Sequence, residues 1–258
     1  MESAASNMSG KIVLGTYSRI THFPHSAFLA ISIYTCGASI LNQALLLTAG
    51  HCLYEHSDPR GYTVFVGHRQ RQKGSRYRVL NLTYHEHYDN RRVHNDIGLL
   101  RLKKNLQFGW NVGRVLLMPN PPYNEKAVVA GWGVTEEDGD TVSDFLKHVT
   151  QKIYKRKACR RIGLKRVPLG TICGEHRHRK GHPEEGDSGS ALVVRGYIQL
   201  GIVSYNRPDV SSTNTVYTDT GYFFEWIKQN ARSLYCSSQM EWVNESNDKN
   251  YIWVYNKV

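Results

Sequence analysis

Thr48-Ala49-Gly50-His51-Cys52, Asn95-Asp96-Ile97-Gly98-Leu99-Leu100 and Gly186-Asp187-Ser188-Gly189 set a histidine, an aspartate and a serine in three short runs along one chain. Together these side chains make an activated hydroxyl. A serine hydroxyl is almost wholly protonated at neutral pH, so it attacks a carbonyl only when a neighbouring base takes its proton. Imidazole suits that task, and a carboxylate on its second ring nitrogen fixes the tautomer and stabilises the imidazolium that forms. A lone Gly-Asp-Ser-Gly is equally compatible with a plain turn. Three runs in this order make the nucleophile reading the stronger one.

His51, Asp96 and Ser188 are far apart in sequence, so long-range strand pairing has to gather them. The elements available are short and β-rich. Residues 27–34, 44–48, 62–66, 77–82 and 98–102 read as strands of a first half. Pro119-Asn120-Pro121-Pro122 then breaks any regular element. Residues 127–132, 147–154, 191–194, 198–205 and 215–218 read as a second set. His51 and Asp96 fall in the first half and Ser188 in the second, which predicts a site in the cleft between them. One helix is predicted over residues 221–232, where Phe223, Ile227 and Ala231 recur every four positions. The 258 residues, 40% hydrophobic, suffice for one large all-β domain or two small ones. No stretch approaches the roughly 18 consecutive apolar residues of a helical membrane span.

Charge is lopsided, with 33 Lys plus Arg against 22 Asp plus Glu, a net +11. The excess concentrates in residues 68–73, 155–161 and 176–180. Such runs attract sulfated glycans, nucleic acid or acidic substrates. No aromatic-basic module accompanies them, so nucleic acid is not expected and solvated loops are the plainer reading. His85-Glu86-His87 and His176-Arg177-His178 lack a cysteine or carboxylate set that would complete a tetrahedral site, and no metal or cofactor is expected. The five cysteines leave their pairing open.

The three runs, their order and their spacing resemble the chymotrypsin/trypsin family of serine endopeptidases, from about residue 12 to about residue 231. The resemblance implies an all-β fold of two packed six-stranded antiparallel barrels, closed by a C-terminal helix against the second barrel. It implies His51 as general base, Asp96 as its orienting partner and Ser188 as nucleophile. The backbone amides of Gly186 and Ser188 would form the oxyanion hole. Lys11-Ile12-Val13-Leu14-Gly15 resembles the family's activation site, although Leu14 stands where glycine is usual. A cut after Lys11 would free the amino group of Ile12 to pair with Asp187, since a buried ammonium and a buried carboxylate are tolerable only together. Residues 1–11 are then an activation segment, 12–232 a protease domain with its inter-barrel linker near 119–124, and 233–258 a C-terminal extension.

The resemblance also pairs Cys36 with Cys52 and Cys159 with Cys173, leaving Cys236 alone. Disulfides imply an oxidising compartment, hence secretion, although the first ten residues carry no visible signal peptide. Specificity departs from the tryptic pattern. Counting back six residues from Ser188 reaches His182, not a carboxylate, and Glu184 occupies a position where cysteine is usual. His182 either pairs with an acidic P1 residue, the one whose carbonyl is attacked, or is a solvated loop histidine. By the same resemblance Ser204, Tyr205 and Asn206 would form the pocket rim and Thr215 the opposite wall, with Asn206 and Thr215 narrowing the slot. The implied function is a secreted serine endopeptidase, made as a zymogen cut after Lys11, that works through an acyl-enzyme and has a non-tryptic pocket. A catalytically silent homologue acting as a binding protein is the alternative. Candidate partners are protein or peptide substrates, the protease that cuts after Lys11, protein inhibitors, and sulfated glycans on the basic runs.

Overall fold

The computed structural model describes residues 15–32, 34–134, 142–176, 181–211 and 213–236. Lys11, Ile12, His178 and the extension from residue 237 onward lie outside the described residues. Thirteen strands build two closed six-stranded antiparallel barrels.

The first barrel runs β2 (Ser26–Ile31), β3 (Tyr34–Ile40), β4 (Leu45–Thr48), β7 (Gly98–Leu102), β6 (Ser75–Tyr84) and β5 (Tyr62–Val66) in spatial order. Alternation drives this arrangement. In β5, Tyr62, Val64 and Val66 turn into the barrel while Thr63 and Phe65 are half-buried on its other face, as the two-residue period of a strand requires. β4 is buried along its whole length between β3 and β7, which explains its uninterrupted Leu45-Leu46-Leu47 run. In the second barrel β9 (Lys147–Lys155), β10 (Thr171–Glu175), β13 (Asn214–Asp219), β12 (Ile198–Asn206), β11 (Ala191–Val194) and β8 (Ala127–Gly131) follow one another, and β8 pairs back onto β9. The short β1 (Thr16–Tyr17) adds to β9. Closure leaves only short stretches of free strand edge, which limits edge-to-edge aggregation.

Residues 27–34 are two strands rather than one. β2 folds directly back onto β3 with Ile31 opposite Tyr34. The sequence between the two strands holds none of the Gly, Asn or Asp that mark a hairpin turn. The expected helix is α2 (Phe224–Cys236), and Phe223, Ile227, Ala231 and Leu234 bury its apolar stripe. It packs on the first barrel, not the second. Its stripe joins the first barrel's core, and Arg101 of β7 donates to the Leu234 carbonyl at 2.7 Å. Trp226 Nε1 donates to Glu86 Oε2 at 3.0 Å, and Tyr235 Oη donates to Asn42 Oδ1 at 2.9 Å. The second barrel's interior is already filled by its own strands, so the helix takes its apolar face back across the molecule and ties the barrels together. Both expected disulfides are present, Cys36–Cys52 and Cys159–Cys173. Cys236 ends α2, and its side chain is outside the described set.

Candidate active site

β4 ends at Thr48, and a short helix α1 (His51–Tyr54) begins three residues later. That places His51 beside the segment leading into β7, which carries Asp96. Asp96 grips the histidine twice: Oδ1 accepts from the His51 backbone amide at 2.8 Å, and Oδ2 lies 2.9 Å from Nδ1. The Nδ1 proton therefore points to the carboxylate, leaving Nε2 with the lone pair a general base needs. Asp96 is 2% exposed and is itself fixed from the opposite barrel. Ser204 Oγ of β12 donates to its Oδ2 at 2.5 Å, and Thr218 Oγ1 of β13 donates to its carbonyl at 2.7 Å. The cleft between the barrels is thus bridged by hydrogen bonds at the carboxylate.

Burial pulls His51 down, but the charge and hydrogen bond of Asp96, with a smaller push from Glu55, more than offset this and hold it above the ordinary imidazole value. Only neutral imidazole accepts a proton. The kcat/KM profile is therefore expected to rise with pH through a midpoint above the ordinary value of about 6.5. A midpoint at or below that value in a peptide assay would contradict this electrostatic reading.

Ser188 sits in a turn whose amides divide into two groups. Those of Asp187, Gly189 and Ser190 bond to the carbonyls of Glu184, Val203 and Asp187, each at 2.9 Å. Those of Gly186 and Ser188 find no acceptor among the described residues. Two unused donors, the serine's own amide and one two residues before it, are what a developing oxyanion needs. Gly189 (φ +85°) lies in the left-handed region, and a Cβ there would stand 2.2 Å from Thr48 Oγ1 and 2.3 Å from the Gly37 carbonyl oxygen. Gly189→Ala is expected to cost at least about 2 kcal/mol, a melting temperature lower by roughly 4–8 °C in calorimetry.

The turn is fastened to the first barrel where His51 lies. Gly37 N donates to the Ser188 carbonyl at 2.7 Å, and Cys52 Sγ lies 3.8 Å from the same oxygen. The Cys36–Cys52 bridge therefore holds the main chain of Ser188 against the neighbour of His51. Ser188 Oγ makes no hydrogen bond among the described residues, and unliganded hydrolase sites often tighten this contact only when substrate arrives. The ring of His51 and the sulfurs of Cys36 and Cys52 have potential metal-ligand atoms within 4.8 Å of one another, but the disulfide leaves no thiolate to bind a metal. His85 stacks on Trp226 with centroids 5.2 Å apart, and its Nδ1 accepts from the His87 amide at 3.1 Å.

Asp187 is fully buried. Its Oδ1 accepts from Gly133 N at 2.8 Å and its Oδ2 from Glu184 N at 3.0 Å. Burial nevertheless pushes its carboxyl up to about 6, because two amides compensate only part of the lost hydration. Among the described residues no cation forms an ion pair with it.

His182 is buried, at 7% exposure, which overturns the solvated-loop reading. The reason is Glu184, whose Oε2 lies 3.1 Å from His182 Nε2 and accepts from Asn206 Nδ2 at 3.0 Å. Asn206 also donates to the Pro183 carbonyl at 2.6 Å, and its Oδ1 accepts from Thr215 Oγ1 at 2.9 Å. Three expected pocket residues, His182, Asn206 and Thr215, therefore form one network through Glu184, to which sequence reasoning gave no bonding role. The hydrogen bond from His182, more than its charge, holds the Glu184 carboxyl below its ordinary value. Among the described residues His182 Nδ1 and Gln151 Oε1 are buried without partners, so the expected pocket floor around His182 retains unused polar capacity. The other two expected rim side chains turn elsewhere. Ser204 faces Asp96, and Tyr205 lines a neighbouring cleft.

Comparison with known proteins gives a consistent picture. The family profile described as Trypsin matches residues 12–227. Among curated proteins, the chain is 34% identical to Trypsin-1 of Astacus astacus over 249 residues, covering 85% of this chain and all of that one. It is 34% identical to Hypodermin-B of Hypoderma lineatum, covering 88% of this chain and 90% of that one. Among solved structures, the scabies mite inactivated protease paralogue S-D1 aligns with a TM-score of 0.77 at 21% identity, over 85% of this chain and 97% of that one. The structure titled HL collagenase aligns with a TM-score of 0.73 at 23% identity, over 84% and 97%. These structural likenesses speak to the fold.

Proposed function

The chain belongs to the trypsin family and is a serine endopeptidase, and from that premise we propose that it cleaves peptide bonds through an acyl-enzyme on Ser188. Ser188 Oγ attacks the scissile carbonyl while His51 Nε2 takes its proton, and Asp96 stabilises the imidazolium through Nδ1. The carbonyl oxygen gains charge between the amides of Gly186 and Ser188. Collapse of the adduct expels the amine, which receives its proton from His51, and water releases the acyl group by the reverse sequence. The single observation supporting these roles is the doubly held His51 at a cleft whose other wall carries Ser188, its own amide and that of Gly186 left without acceptors among the described residues.

Activation belongs to the same reading, with residues 1–11 as the segment removed and 12–232 as the working domain. Asp187 is a buried carboxylate short of a cation, and its raised pKa makes ionisation at neutral pH costly, by on the order of 3 kcal/mol. An ammonium on Ile12, released by a second protease cutting after Lys11, supplies the missing charge. The sign is definite. With its folded pKa above the unfolded one, unpaired Asp187 weakens the fold as pH rises from about 4 through about 6. Pairing with Ile12 is expected to remove that loss. Thermal melts of uncut and Lys11-cut protein at pH 5 and pH 7.5 should therefore diverge at the higher pH, with the cut form more stable. Equal melting points at both pH values would count against the pair.

The primary pocket is non-tryptic and narrow, because Asn206 and Thr215 carry side chains bonded to each other and the nearby carboxylate, Glu184, is engaged by His182 and Asn206. The polar floor favours a small polar P1 residue over a large unmodified one. Protein substrates and protein inhibitors are the partners this implies, and the basic runs at 68–73 and 155–161 are a surface for sulfated glycans. Two disulfides suit secretion into an oxidising compartment. The test is a peptide-library profile with material whose amino terminus has been confirmed as Ile12. Cleavage after small polar residues, extended to larger ones by Asn206→Gly/Thr215→Gly, is the expected result. No cleavage of any peptide would instead favour the silent binding homologue.

A further inference from the structure

Beside the catalytic cleft lies a second opening of about 520 Å³, lined by five arginines and no carboxylate. Both barrels contribute. Arg91 and Arg92 come from the loop between β6 and β7, Arg156 and Arg166 from the connection between β9 and β10, and Arg207 from just beyond β12. Their charge is only partly answered. Arg207 pairs with Asp209 at 2.6 Å, and Arg92 reaches Asp89 at 4.0 Å. Arg91, Arg156 and Arg166 have no carboxylate partner among the described residues; Arg156 instead donates to the carbonyls of Val167 and Pro168, at 3.2 and 3.0 Å. Several uncompensated cations converging on a concave wall raise the local concentration of anionic groups.

The loop that presents Arg91 and Arg92 is held in one shape. Asp89 Oδ1 accepts from both of their amides, at 2.9 and 3.2 Å, and Asp89 and His94 exchange two backbone hydrogen bonds. Between them Val93 takes φ +50°, a conformation costly for a β-branched residue. The same loop ends at Asp96, and Tyr205, which lines the opening, adjoins the Ser204 that holds Asp96. Residues 204–206 also have a free edge. They pair with β13 on one side, while β11 ends its pairing opposite Ile202. An extended peptide can add to such an edge. With its P1 side chain against residues 204–206, the part of the peptide preceding P1 runs past Tyr205 into the arginine cleft.

We propose that this cleft binds acidic side chains of the substrate on the N-terminal side of the scissile bond, so that the enzyme selects polypeptides carrying an Asp/Glu-rich segment ahead of the cut. Val93, Tyr205 and the 63% exposed Leu169 add apolar wall between the charges. That mixture suits a peptide, whereas a sulfated glycan would engage the arginines and leave Leu169 uncovered. The proposal rests on the proteolytic reading above and is tested separately from it.

Two matched peptides are needed, each with the same small polar P1 residue, one with Asp and Glu in the four preceding positions and one with Asn and Gln. Binding is read by fluorescence anisotropy on the Lys11-cut Ser188→Ala chain, and turnover on the cut chain with Ser188 intact. The acidic peptide is expected to bind about tenfold more tightly and to be cut with a correspondingly higher kcat/KM, both advantages shrinking as salt is raised. Arg91→Glu/Arg166→Glu should abolish the advantage, and the milder Arg91→Gln/Arg166→Gln should halve it or more, with kcat/KM for the neutral peptide unchanged in both. That unchanged value also serves as the control for folding. Equal binding of the two peptides overturns the proposal, as does a preference that survives the variants. So does a cleft in which a heparin oligosaccharide binds through these arginines while the two peptides are not distinguished. If the acidic peptide is bound selectively but neither peptide is cut, this proposal stands and the proteolytic reading falls.

Discussion

Ser188→Ala is expected to lower kcat/KM toward a peptide by about 10⁶, and His51→Ala by about as much, with the double variant scarcely worse than either. The near-equality follows from shared work. The hydroxyl is useless without a base to take its proton, and the base has nothing to deprotonate without the hydroxyl, so removing one removes the contribution of both. What survives comes from binding and from the amides of Gly186 and Ser188, which neither substitution touches. Stopped assays with enzyme near the substrate concentration would reach such low rates. A loss of only tenfold, or losses for the two residues that multiply in the double variant, would mean that they do not act as a unit.

Asp96→Asn is the second large effect, at about 10⁴ in kcat/KM with a much smaller change in stability. The carboxylate receives three contacts, from the His51 amide, His51 Nδ1 and Ser204 Oγ, and the backbone carbonyl of Asp96 accepts a fourth from Thr218 Oγ1. Asparagine keeps the shape and the Thr218 bond. Its amide nitrogen, however, donates where the carboxylate accepted, so Nδ1 must become the acceptor and the proton moves to Nε2, the atom that should be receiving one from Ser188. Recovery of activity at high pH is not expected to be complete. Ser204→Ala leaves the tautomer intact, so its cost should stay near tenfold and its pH midpoint should move. Comparing the two variants separates tautomer from positioning.

Much of this was legible before any coordinates. β5, β7 and β11 fall where alternating or uninterrupted apolar runs placed them, because closed barrels have an inside and an outside and the two-residue period records it. The three chemical runs were legible because each sits at a turn or strand start that needs particular residues. What stayed hidden depends on contacts between distant segments. The sequence between β2 and β3 carries no turn residue, and β10, with Gly174 and Cys173 in five residues, shows no alternation. The face of α2 was clear, but not which barrel it would meet. Glu184 was readable only as a missing cysteine, since its bonds to His182 and Asn206 require β12 to be folded beside the 182–186 segment. The arginine cleft draws on three separated stretches, so none of them looked like a site alone.

The central claim is that His51 makes the hydroxyl of Ser188 a nucleophile once the chain has been cut after Lys11. Reaction of that cut protein with a phosphonylating serine probe, followed by peptide mapping, tests it most directly. One label per chain on Ser188, absent from Ser188→Ala and from His51→Ala, is the predicted result. No label on protein whose terminus is confirmed as Ile12, or a label on some other residue, would contradict it.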